Sequence, residues 1–133
     1  MQSTEEPVES VELVVPALPR YARVVRMTAA NLASIAKLNV EEVDDVRMAA
    51  EEAFVYACAT GAGPAIHIEF GISEEGLSME FELGDLPVAE DEREPALVYS
   101  AFILEAMCDE CVIGDGPNGR MRLFKRIGGT DAR

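Results

Sequence analysis

The chain has 133 residues, 49% of them hydrophobic, which is enough apolar material for one compact core and too little length for two ordinary domains. Its 25 acidic residues against 11 basic ones leave a net charge of -14, which repels a phosphate backbone over most of the surface and argues against nucleic acid as a direct partner. No apolar run approaches the roughly eighteen residues of a membrane span, the first ten residues are acidic and polar, and three cysteines are an odd number for a disulfide framework, so a cytoplasmic protein is expected.

Residues 1–10 read as a flexible acidic tail, residues 11–127 as a single domain and residues 128–133 as a frayed end. "VELVVPA" has the apolar bias of a short strand, and Pro16 and Pro19 fix the turn out of it. From Arg20 to Leu38, apolar residues at Ala22, Val25, Ala29, Leu32, Ala33 and Ala36 recur at helical spacing, and "KLN" marks a break. A second helix, Val40 to Ala59, is expected to bury Val43, Val46, Ala49, Ala50, Ala53 and Ala57, and "TGAGP" stops it.

"AIHIEFGISEEGLSMEFEL" then alternates as a hairpin, with His67 on the face opposite Ile66 and Ile68, the position of a solvated structural histidine. "GDLPVAEDEREP" is a charged connection, Pro95 opens a third helix through "ALVYSAFILEAM", and "ECVIGDGPNGRMRLFKRI" is a second hairpin. Cys108 and Cys111 form a C-x-x-C at the helix-to-strand junction; with no second pair, packing thiols are the simpler reading than a redox pair or half a metal site. The element order predicts an α+β fold: a two-layer α/β sandwich with a mixed, mostly antiparallel five-stranded sheet covered by three helices.

"VELVVPALPRYARVVR", "VDDVRMAAEEAFVYA" and "FILEAMCDECVI" followed by "GRMRLFKR" resemble the anti-sigma factors with a serine-kinase domain, members of the GHKL superfamily of histidine-kinase-like ATPases. The likeness runs from about Val11 to Arg126. It implies an ATP site that uses magnesium, in which a glutamate assists phosphoryl transfer and an asparagine four residues later holds the metal. Glu52 matches the glutamate, and Tyr56 stands where the asparagine would be; a phenol is a poor ligand for a hard cation. Glu52, with Glu51 and Asp45, also reads as the solvated flank of an amphipathic helix, and Tyr56 as packing that fills the vacated space.

The family's Asp-x-Gly-x-Gly turn has no counterpart through Gly84 and Asp85, and Pro87 stiffens that turn. The glycine pair expected at the start of the last helix is matched by Val98 and Ser100. "EDEREP" occupies the place of the family's mobile lid.

The resemblance therefore implies a protein-binding module that works without ATP hydrolysis and without a cofactor. It would form a homodimer and hold a sigma factor or its antagonist through the first helix, where Arg23 matches a partner-contacting arginine. One alternative is an active serine-protein kinase with Glu52 as general base. Another is a dimeric sensor whose remodelled pocket, lined by Tyr56, Val98 and Met48, takes a small ligand.

Overall fold

Strand β1 (Glu9–Pro16) opens the part of the chain that our computed structural model describes, residues 9–85, 95–114 and 119–128. A 3₁₀ turn at Pro19–Tyr21 leads into α1 (Ala22–Ile35), which buries Ala22, Val25, Ala29, Leu32 and Ala33, as its spacing predicts. The helix stops in a Schellman arrangement: the Leu38 N–H donates to Ala33 O at 3.1 Å and the Lys37 N–H to Ser34 O at 3.0 Å. Lys37 takes the left-handed conformation this requires (φ 73°), and Leu38 tucks into the core, which is why the helix breaks at "KLN".

α2 (Val40–Ala59) starts two residues later on a capping box. Asn39 Oδ1 accepts from the Glu42 N–H and Glu42 Oε1 accepts from the Asn39 N–H, both at 2.8 Å, so two otherwise orphaned donors are satisfied reciprocally. Of the predicted stripe, Val46, Ala49, Ala50, Ala53 and Ala57 are buried and Val43 is half-buried; Phe54 and Glu42 are buried as well. Alanines on the facing sides of α1 and α2 let the two helices sit close, and Phe54 supplies the bulk beneath them.

β2 (Ala65–Ser73) and β3 (Gly76–Glu82) form the first hairpin, α3 (Pro95–Met107) follows, and β4 (Glu110–Ile113) and β5 (Arg120–Arg126) close the chain. The sheet order is β1-β2-β3-β5-β4, and every neighbouring pair is antiparallel. The expectation of a mixed sheet is corrected here. The α3 crossover carries the chain past one strand position, so β4 lands at the edge and β5 returns between it and β3, keeping those two parallel-running strands apart.

Alternation sends Ile66, Ile68, Phe70, Leu77, Met79, Phe81, Met121 and Leu123 to the helix side, where all are essentially buried. The opposite face carries His67, as expected, among charged neighbours and is covered by nothing in the described chain. The three helices lie together on one side, with α2 in the middle and α1 and α3 packed against it.

Candidate functional site

The α2–α3 seam gathers most of the residues singled out by sequence. Asp45, Ala49, Glu52 and Tyr56 recur at helical spacing on α2, and α3 runs antiparallel along them. At its centre Ser100, itself 1% exposed, donates its hydroxyl to Glu52 Oε1 at 3.0 Å. The two residues that the resemblance singled out on these helices, Glu52 and Ser100, are thus hydrogen-bonded to each other. One turn on, Tyr56 is half-buried and packs against the core, opposite the first turn of α3. Val98 belongs to that first turn, but its side chain lies outside the described residues, as do Pro87 and the "EDEREP" segment. Met48 is 48% exposed.

Two turns beyond Glu52, about 12 Å along the helix axis, the C-terminus of α2 is clasped to the exit of β3. Thr60 Oγ1 donates to Ala57 O at 2.6 Å and accepts from the Gly84 N–H at 2.8 Å. Gly84 lies so close that a Cβ there would stand 2.2 Å from Thr60 O and 2.4 Å from Gly61 C. Leu83, just before it, is buried, and Asp85, just after it, is exposed. Sequence reading missed the clasp, since nothing periodic links a threonine after one helix to a glycine after a strand.

At the far end of the same seam Lys125 is 7% exposed, and its Nζ donates to Asp45 Oδ2 and to Met107 O, both at 2.9 Å. The signal was present: Met121, Leu123 and Lys125 alternate toward the core, and a lysine on a buried face needs an acid. Cys108 and Cys111 flank this junction as free thiols. Burial pushes Cys108 up to about 12, Cys111 beside it acts the same way and Lys125 opposes, so the sulfur stays protonated at neutral pH and is a poor nucleophile and metal ligand. Burial also raises Cys111. Among the described residues no group of three or more His, Cys, Asp or Glu side chains could hold a metal ion, and no helix is long and apolar enough to cross a membrane.

Arg23 is elsewhere, on the outer side of the α1–α2 pair. There a groove of about 510 Å³ is lined by Arg23, Arg26, Met27, Asn31, Val43 and Arg47 among others. Arg26 pairs with Glu51 at 3.2 Å and Arg47 with Asp44 at 2.8 Å, both at the surface, where such pairs contribute little. Arg23 is exposed and has no ionic partner among the described residues. Met27, beside it, is 52% exposed.

Two comparisons with known proteins bear on this arrangement. The family model described as "Histidine kinase-like ATPase domain" matches residues 15–121. Among solved structures, the chain superposes on the crystal structure of the RsbU and RsbW domains of Rv1364c from Mycobacterium tuberculosis with a TM-score of 0.65 and 17% identity, which shows a shared fold. That match covers 90% of this chain and 32% of the other, so the present protein spans about a third of its structural neighbour. No curated protein sequence matches it. With the family model spanning most of the chain, from the end of β1 to the start of β5 and including all three helices, the chain belongs to the histidine kinase-like ATPase domain family.

Proposed function

We propose that this protein is a cytoplasmic, homodimeric regulator that holds a protein partner, a sigma factor or an antagonist of one, through the α1–α2 groove, and that it does so without phosphoryl transfer. The observation that carries the reading is the groove itself: in a chain of net charge -14, three arginines converge there beside the exposed thioether of Met27, and Arg23 has no ionic partner among the described residues. An arginine fork next to an apolar contact suits a partner surface bearing carboxylates and one apolar anchor. The RsbW domain of the structural neighbour supports the direction of this reading through the fold alone.

The residues at the α2–α3 seam do not fit a magnesium nucleotide. Glu52 is engaged by Ser100, Tyr56 offers a phenol where a hard-cation ligand is wanted, and the backbone of Thr60 and Gly61 presses against Gly84 where a nucleotide-binding turn needs open space. Replacing Tyr56 alone leaves the other two obstacles in place. Tyr56→Asn is therefore expected to show no magnesium-dependent ATP binding by calorimetry, and binding restored by that one change would overturn the account of the seam.

Partner holding is tested by affinity capture from the protein's own cell extract, with and without magnesium-ATP. The expected result is a sigma factor or antagonist recovered equally in both conditions and retained roughly tenfold less by Arg23→Glu. Capture that requires ATP, or that ignores the charge reversal at Arg23, would count against it.

A further inference from the structure

Strand β1 is an edge of the sheet, and its register with β2 determines which of its backbone groups are engaged. The Ala17 N–H donates to Pro64 O at 3.0 Å, one step beyond the partners Pro16 and Ala65, so residues 17 and 64 form a hydrogen-bonded pair of the antiparallel ladder. Such pairs alternate along a strand. Val15, Leu13, Val11 and Glu9 therefore bond to β2, and Ser10, Glu12 and Val14 point both N–H and C=O away from the sheet. Pro16 O belongs to the same outward set and accepts from the Leu18 N–H at 2.8 Å. Among the described residues no backbone group pairs with the outward groups of Ser10, Glu12 or Val14.

The same alternation sorts the side chains along this edge. Ser10, Glu12 and Val14 share the uncovered face with His67 and Glu69, while Val11 and Leu13 lie on the helix side. Val14 is 54% exposed and Val11 36%. On α1, the flank turned away from the α2 groove carries Val24, Thr28 and Ile35, and exposed Ile35 shares a cavity of about 410 Å³ with Glu9 and Ile72. Glu12 and Glu69 stand directly opposite one another, a like-charge pair that costs stability. The Ser10 hydroxyl donates to Glu69 at 3.0 Å, but Glu12 has no ionic partner among the described residues. The edge thus joins an open ladder to apolar surface on one side and to an unneutralised carboxylate pair on the other.

We infer that the β1 edge binds an extended segment of a partner protein as an added antiparallel strand, with a lysine or arginine opposite Glu12 and apolar residues opposite Val11, Leu13 and Val14. The outward groups of Ser10, Glu12 and Val14 supply the main-chain bonds, and the alternating side chains supply the selectivity. A base beside Glu12 also offsets the repulsion between Glu12 and Glu69. A second copy of β1 fits poorly, because the two-fold register that uses Ser10, Glu12 and Val14 in both strands sets Glu12 on Glu12. Residues 1–8 contain Glu5 and Glu6 and no base, so they would add acid to acid. The carboxylate therefore selects against the chain itself and for a basic, apolar strand. This site lies on the opposite flank of α1 from the Arg23 groove and does not depend on it.

The test titrates the isotope-labelled full chain with the synthetic peptide acetyl-Ser-Thr-Val-Ile-Lys-Val-Thr-Ser-amide and follows amide chemical shifts. The amide protons of Ser10, Glu12 and Val14 are expected to move saturably downfield, while those of Val11 and Leu13, already bonded to β2, move little. A peptide with glutamate in place of its lysine is expected to bind about tenfold more weakly, and Glu12→Lys to reverse that preference. Val14→Pro removes an outward N–H and leaves the ladder to β2 intact. With its fold confirmed by circular dichroism, it is expected to bind the lysine peptide about tenfold more weakly than wild type. No saturable shift on β1, equal binding of the two peptides, or a folded Val14→Pro that binds like wild type would overturn the inference. So would slow hydrogen exchange at the Ser10, Glu12 and Val14 amides of the free chain, because the edge would then already be covered by another copy or by residues 1–8.

Discussion

Gly84→Ala is expected to destabilise the protein by about 3 kcal/mol or more, toward the upper end for a forced overpacking. The added Cβ would stand 2.2 Å from Thr60 O and 2.5 Å from Gly61 O. Those are backbone atoms at the end of α2, so no side chain can rotate away; either the β3 exit or the helix terminus must move. Movement there also breaks the 2.8 Å bond from the Gly84 N–H to Thr60 Oγ1 and leaves a hydroxyl in a site only 4% exposed with one partner fewer. Urea denaturation of variant and wild type under the same conditions measures the loss. A midpoint within error of wild type would mean that the close approach of β3 to α2 is not a feature of the folded protein in solution.

That clasp also marks the limit of what the chain discloses before its structure is seen. Helix α2 was legible from Val40 to Ala59 because its alanine and valine stripe has a clear period and both ends carry turn chemistry. The direction of sheet pairing was harder, since alternation identifies a strand without saying where a crossover sets it down, and β4 at the edge turns an expected mixed sheet into an antiparallel one. In the candidate site, Glu52 and Tyr56 could be placed on one face by spacing alone, and Arg23 by its place in the first helix. What faces them could not: the Ser100 to Glu52 bond joins residues 48 apart and the Lys125 to Asp45 pair residues 80 apart. Such contacts follow from how helices dock on the sheet, and local periodicity carries no record of that docking.

Removing the acid of the Lys125–Asp45 pair is expected to be costlier than removing the base. The two side chains differ in exposure, 8% for Lys125 and 32% for Asp45. Asp45→Ala strands an ammonium group in the core with one carbonyl, Met107 O, as its remaining partner, which costs about 3 kcal/mol, the low end for breaking a buried pair. Lys125→Met leaves the carboxylate at the seam's rim, where water can solvate it, and the methionine fills most of the space of the lysine stem. Its cost is about 1 kcal/mol, mainly the donor lost by Met107 O. Chemical denaturation of the two variants gives the order directly, and a costlier Lys125→Met would show that the pair is solvated rather than buried. The same pair fixes where the C-terminus of α3 meets the first half of α2, and Ser100 reaches Glu52 two turns further along that contact. Amide exchange along α3 should therefore quicken in Asp45→Ala under native conditions, since losing the tie at one end loosens the hydroxyl-to-carboxylate bond that keeps the seam closed.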